Sequence, residues 1–313
     1  MRETLLEARH LRVEFGDLVA VDDLSFELAA GDLIGLVGPN GAGKTTTLRA
    51  LAGLLPTTAG TVRILGYDVL AEGRDAMPNI GFASDTPPLY EKLTVEEYLT
   101  FIGKAYRLDA ADIDDRIGFW LDQLWLAERR HARIRTLSRG MKQRLAVARA
   151  LLPNPHVILL DEPAAGLDPG GRVAFRRLLS NLRDQGKAIV ISSHILADLG
   201  EYCTHIGIMS HGRFIEYGTV RDVAAGKGNH RCRYRITLAA VLSDAAARLA
   251  AIDGIDALQV DREEVFFEFR DDRAEAAALL QRLIAAGLPV ASFSPMAPGL
   301  EEAYLRSGVR QVD

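Results

Sequence analysis

Residues 32–46 read DLIGLVGPNGAGKTT, an apolar run that ends in a glycine-rich loop and a Lys-Thr-Thr triplet. Gly38, Gly43, Lys44 and Thr45 fill the pattern GxxxxGK[ST], and the pattern stands where its mechanics require, after a strand-like run and before a helix. The loop spans Gly38, Pro39, Asn40, Gly41, Ala42, Gly43, Lys44, Thr45 and Thr46. Its glycines let backbone N–H groups turn inward around phosphates, and the helix N-terminus adds positive dipole. Lys44 is placed to neutralise β- and γ-phosphate oxygens, and the Thr45 hydroxyl to ligate Mg²⁺. A plain glycine turn before a capped helix would need neither the lysine nor the hydroxyls.

Working outward, residues 4–14 and 18–28 read as two strands around Phe15, and a helix is expected from Gly43 to about Leu54, stopped by Pro56 and Gly60. TVRIL and NIGFA read as further strands. From Thr94 to about Arg135 the spacing becomes helical, opened by the capping box TVEE. Strand and helix then alternate: helix 138–152, strand 156–160, helix 170–185, strand KAIVIS, then HIGIMS and RFIEYG. Such alternation predicts an α/β fold with a mostly parallel sheet covered on both faces. After the polar stretch AAGKGNH the texture changes to strand, helix, strand, strand, helix, strand. The expected domains are therefore 1–223, with a helical subdomain at about 86–152, and a small α+β domain over 231–313.

Chemistry gathers at VILLDEP, residues 157–163, which puts Asp161 and Glu162 at the C-terminal end of a buried strand, where open α/β sheets bind ligands. Neighbouring side chains of a strand diverge, so Asp161 can serve the Mg²⁺ shell while Glu162 reaches an attacking water as general base. LSRGMKQRLAVARALL follows from Leu137; Ser138 caps this helix, and Gly140 lets its N-terminus approach an anion closely.

These motifs in this order resemble those of ABC ATPases, over about 220 residues. The resemblance implies a P-loop NTPase of ABC type with an antiparallel β subdomain beside the parallel sheet. It implies that Phe15 stacks on adenine, that Ser138 and Gly140 contact the γ-phosphate held by a second subunit, that Asp168 in AGLDP lies at the dimer seam, and that His194 in VISSHIL bonds the γ-phosphate. ATP and Mg²⁺ are then the cofactors and Glu162, His194 and Lys44 the catalytic set. Two positions depart from the pattern: Asp85 in IGFASDTPPLY stands where a metal-touching glutamine is usual, and Arg139 replaces a signature glycine. Signatures of this kind resemble those of ABC-2-type exporter ATPases. The implied protein is an ATPase subunit that acts as a nucleotide-sandwich dimer, or pairs with a second ATPase subunit, and drives a separately encoded permease, with PPLYEKL (87–93) near the docking surface.

Composition narrows the classes. At 313 residues, 48% hydrophobic and 25% charged, the chain has the apolar content for an extensive core. A net charge of −5, and ten Arg, no Lys and thirteen acids from residue 231 on, count against a nucleic-acid partner. The alternative of a soluble ABC ATPase acting on nucleic acid or ribosomes would call for coiled coils, zinc modules or a second nucleotide domain, and none is visible. Cys203 and Cys232 lack metal or disulfide spacing. No run of about 18 apolar residues occurs, and MRETLLEARH has no signal-type core, so the expected location is cytoplasmic, peripheral on a membrane through the permease.

Overall fold

β3 (Leu33–Val37), β7 (Val157–Asp161) and β8 (Ala188–Ser192) are buried at every position, which is why they read as continuous apolar runs rather than alternating ones. In the computed structural model, which describes residues 2–193, 196–225, 231–270, 273–296 and 300–309, they form the middle of a six-stranded sheet. With β6 (Ile80–Ala83), β9 (His205–Ser210) and β10 (Arg213–Thr219) the order is β10-β9-β3-β8-β7-β6. The pairs β3 with β8 and β9, β7 with β8, and β6 with β7 are all parallel. The predicted parallel sheet is therefore present.

β1 (Thr4–Phe15) and β2 (Leu18–Ala29) make a long hairpin, paired antiparallel and closed at Phe15↔Leu18. β4 (Ala59–Ile64) and β5 (Tyr67–Asp68) extend it into a four-stranded antiparallel sheet. Its inward residues, among them Leu6, Leu11, Leu24 and Leu28, share one core with Ile34 and Leu36 of β3 and with Leu48 and Leu51 of α1 (Lys44–Leu51). A short helix, α2 (Gly73–Ala76), leads towards β6.

The helical stretch is broken into pieces. α3 (Val95–Ala105) starts at the predicted capping box: the Thr94 N–H donates to Glu97 Oε2 at 2.8 Å and the Glu97 N–H to Thr94 Oγ1 at 3.2 Å. α4 (Ala110–Gln123) follows a turn at Arg107, whose φ is +58°, and ends before Trp125, whose φ is +53°. α5 (Arg139–Leu151) then lies against β6 so closely that a Cβ on Gly81 would sit 2.3 Å from the Ala150 carbonyl oxygen. α6 (Pro169–Asp184) and α7 (Leu196–Tyr202) complete this part. No described helix is long and apolar enough to cross a membrane.

The chain divides into two units, residues 1–218 with 307–313, and residues 219–306. In the second, α8 (Val220–Ala225) precedes β11 (Arg231–Leu238), α9 (Ala245–Ala250), β12 (Asp256–Asp261), β13 (Glu264–Arg270), α10 (Arg273–Ala285), β14 (Val290–Pro295) and α11 (Leu300–Arg306). Its strands pair in the order β12-β13-β11-β14, a split β-α-β arrangement. Tyr234, Ile236, Val265 and Phe267 on alternate positions bury against Leu249 of α9 and Leu279 and Leu283 of α10. The predicted strand, helix, strand, strand, helix, strand order is found here; α8 and α11 are additional to it.

Candidate functional site

The loop after β3 is held by contacts only glycine permits. Gly38 is buried, and a Cβ there would stand 2.3 Å from the Met209 carbonyl oxygen. Gly43 has φ +100°, and its Cβ would meet the Ala20 carbonyl oxygen at 2.4 Å, so the loop abuts β2 directly. The same contact places the Phe15 end of the hairpin beside the loop, because Ala20 is two residues beyond Leu18, the pairing partner of Phe15. Phe15 is 49% exposed, an aromatic face unused by the core. Asn40 and Gly41 are exposed at the tip, whereas Ala42 is buried beneath it.

Lys44 Nζ donates to the carbonyl oxygens of Gly38, at 2.6 Å, and Pro39, at 3.0 Å, which curls its ammonium back over the loop. Burial pushes its pKa below the usual lysine value, and the carboxylates of Glu162 and Asp161 oppose that shift. Asp161 ends β7 and Glu162 follows it, more than a hundred residues away in sequence; β7 pairs in parallel with β8, and β8 with the β3 strand that leads into the loop.

Asp161 is 2% exposed and receives two hydrogen bonds on Oδ1: from Thr45 Oγ1 at 3.2 Å and from Ser192 Oγ at 2.7 Å. Ser192 Oγ also accepts from the Glu162 N–H at 2.9 Å. Thus one hydroxyl at the end of β8 orients both acids. Glu162 has φ +48°, a conformation uncommon outside glycine and costly for a side chain of this size. Ser192 carries no motif of its own, and its only signal in sequence is two hydroxyls ending an apolar strand.

A hydroxyl and a carboxylate meeting at the start of α1 are hard oxygen donors, and that chemistry fits Mg²⁺, which keeps waters and substrate phosphates for its other positions. A cluster of three or more acids, His or Cys is absent among the described residues, and Mg²⁺ bound with a nucleotide does not require one.

Asp85 lies two residues past the end of β6. Its Oδ1 accepts from Arg139 Nη2, a cation on α5, at 3.3 Å. Ser138 is the N-cap of α5 and accepts from the Met141 N–H at 3.2 Å. A Cβ on Gly140 would lie 3.1 Å from the Gly166 carbonyl oxygen, which seats the start of α5 against the loop leading to Asp168. Asp168 in turn caps α6 by accepting from the Gly171 N–H at 2.6 Å. The hydrogen bonds of Ser138 thus run within its own helix rather than to residues 38–46. His194 lies outside the described residues.

Residues 21–165 match the family described as ABC transporter. The chain is 35% identical over 227 residues to the probable multidrug ABC transporter ATP-binding protein YbhF of Escherichia coli (strain K12), a match spanning 72% of this chain but about two fifths (39%) of that relative. It is 37% identical over 219 residues to the Nod factor export ATP-binding protein I of Cupriavidus metallidurans, spanning 70% of this chain and 72% of the relative. A solved ATP-binding subunit of an ABC transporter superposes with a TM-score of 0.66 at 32% identity, covering 70% of this chain and 91% of that one.

Proposed function

Because this chain belongs to the ABC transporter ATP-binding family, we propose that it is the ATP-hydrolysing subunit of an exporter and powers a separately encoded membrane permease. The observation that carries the enzymatic part is the convergence of Thr45 and Ser192 on Asp161 beneath a loop whose lysine faces inward. Export is supported by the names of the two relatives, one a multidrug and one a Nod factor export ATP-binding protein.

In this reading residues 38–46 hold the triphosphate, Lys44 screens its β and γ oxygens, and Phe15 stacks on adenine. Thr45 and Asp161 would hold Mg²⁺, which screens phosphate charge when bound. Glu162 takes the proton of the attacking water, and His194 bonds the γ-phosphate. Ser138 and Gly140 face outward and serve the nucleotide of a second subunit, so that two copies, or a copy and a second ATPase subunit, close around two nucleotides. Assembly is then part of catalysis, because no single chain carries a whole site.

The permease docks beside α3. A cleft of about 320 Å³ is lined by Leu54, Ile80, Phe82, Pro88, Ile102 and Tyr106. Two residues beyond Pro88, Tyr90, 59% exposed, packs edge-on against Tyr98 and Phe101. Apolar anchors around a cleft suit a helix laid into a groove. The chain would thereby sit on the cytoplasmic face of the membrane.

The deciding experiment replaces the general base. Glu162→Gln is expected to bind ATP, cease turnover and run as an ATP-dependent dimer on gel filtration. Continued hydrolysis, or a monomer at saturating ATP, would count against the assignment.

A further inference from the structure

We propose that Gln143 is a positioning residue for ATP hydrolysis: a buried carboxamide on α5 that sets the ends of β6 and β7, and with them Asp85 and the Asp161–Glu162 pair. The inference rests on the reading of this site as an ATPase.

Gln143 is 3% exposed, unusual for a primary amide on an otherwise apolar helix face shared with Ala146, Val147 and Ala150. Its Nε2 donates to the Ser84 carbonyl oxygen at 3.2 Å and to the Asp161 carbonyl oxygen at 3.3 Å. These two carbonyls occupy a specific place. The parallel pairing of β6 with β7 ends at Ala83↔Leu160, so Ser84 and Asp161 are the first residues of each strand beyond the ladder. One NH₂ group, with two donors, bridges the seam the ladder leaves open.

What lies past that bridge is the chemistry. Asp85 follows Ser84, and the carboxylates of Asp161 and Glu162 begin where β7 stops. Glu162 keeps a left-handed backbone, φ +48°, which persists only where neighbours over-determine it. Gln143 holds the carbonyl side of the Asp161–Glu162 peptide while Ser192 Oγ holds its N–H side at 2.9 Å. The peptide plane that aims Glu162 is therefore clamped at both ends.

The same helix carries Ser138 and Gly140 at its start. Two further ties fix it along its length: Arg149 Nη2 donates to the Phe82 carbonyl oxygen at 2.6 Å, and Gly81 lies against Ala150. Gln143 joins the outward-facing N-terminus of α5 to the acids of its own subunit. A small movement of α5 is thereby passed to the Glu162 peptide.

The test uses the full chain and compares Gln143→Met, which keeps volume but no donor, with Gln143→Glu, whose carboxyl donates only when protonated. Fluorescent-ATP binding, steady-state kcat and KM, and thermal unfolding are measured together. The expected result for Gln143→Met is ATP affinity close to wild type with kcat lowered about ten- to a hundredfold, the scale of a misplaced catalytic group. For Gln143→Glu, burial raises the introduced carboxyl's pKa, so kcat relative to wild type is expected to recover as the pH is lowered from about 8 to about 6. Gln143→Met should show no such recovery.

Turnover by Gln143→Met within about threefold of wild type would overturn the proposal, as would an equal loss in kcat and ATP affinity. If Gln143→Met does not fold, the Gln143→Glu profile decides alone: a profile parallel to wild type leaves Gln143 as packing. A wild-type chain that binds ATP without hydrolysing it, in any assembly, instead overturns the ATPase reading and this proposal with it.

Discussion

Arg139 Nη2 and Asp85 Oδ1 lie 3.3 Å apart, so the two positions at which the chain departs from the usual ABC pattern are partners in one ion pair. A lone carboxylate at position 85 would add negative charge beside phosphates; next to Arg139 that charge is locally balanced. The pair spans the loop after β6 and the first residue of α5.

We propose that Arg139, rather than a metal, holds Asp85. Asp85→Asn is expected to leave the Mg²⁺ dependence of hydrolysis within about twofold, whereas Asp161→Asn should raise the Mg²⁺ requirement by about tenfold or more. A Mg²⁺ titration of each variant's ATPase rate distinguishes them. Because the Arg139 and Asp85 side chains are 80% and 38% exposed, breaking their pair should cost less than about 1 kcal/mol in urea unfolding.

Lys44 should couple nucleotide binding to protons. Its pKa is lowered by burial, and phosphate oxygens around the ammonium raise it again. Binding therefore takes up protons at alkaline pH, and ATP affinity falls as the pH rises through the lowered pKa of the free chain. Calorimetry in buffers of differing ionisation enthalpy measures this uptake. Lys44→Ala should abolish it and weaken ATP binding strongly, since a charge-assisted contact is lost.

Ser192→Ala removes the hydroxyl that donates to Asp161 and accepts from the Glu162 N–H. Losing the buried hydrogen bond to the Asp161 carboxylate costs about 1–3 kcal/mol, so chemical unfolding should report a loss of that size. The kcat should fall as well, because the Glu162 peptide loses one of its holders. Thr at this position restores the hydroxyl, and Ser192→Thr should recover more activity than Ser192→Ala.

The packed rings of Tyr90 and Phe101 are expected to separate coupling from chemistry. Tyr90→Ala together with Phe101→Ala removes two exposed rings distant in role from the phosphate loop. The full chain should keep its ATP affinity but no longer co-purify with the permease. Retained co-purification would place the docking surface elsewhere.

Much of the molecule was legible from short stretches. The phosphate loop, the buried strands β3, β7 and β8, the Thr94 capping box and the N-cap Ser138 each depend on residues close in sequence. Local sterics and backbone hydrogen bonding decide such features, so spacing alone reveals them. The breaks in the helical stretch were not legible in the same way. Arg107 and Trp125 adopt positive φ, at +58° and +53°, without being glycine or asparagine, and nothing in their side chains announces it. The short elements β5, α2 and α7 span too few residues to show a period.

The sequence by itself determined that a GxxxxGK[ST] loop stands between a buried strand and a helix, and which family of ATPases the chain resembles. Only the tertiary structure decided which groups hold the acids in place. Ser192 reaches Asp161 across paired strands, Gln143 reaches the ends of two strands from a helix, and Arg139 meets Asp85 across 54 residues. The physical reason is that these bonds form between groups the chain brings together only when the sheet and α5 pack. A hydroxyl, an amide or a guanidinium has many acceptors it can satisfy, and burial geometry selects the one it takes.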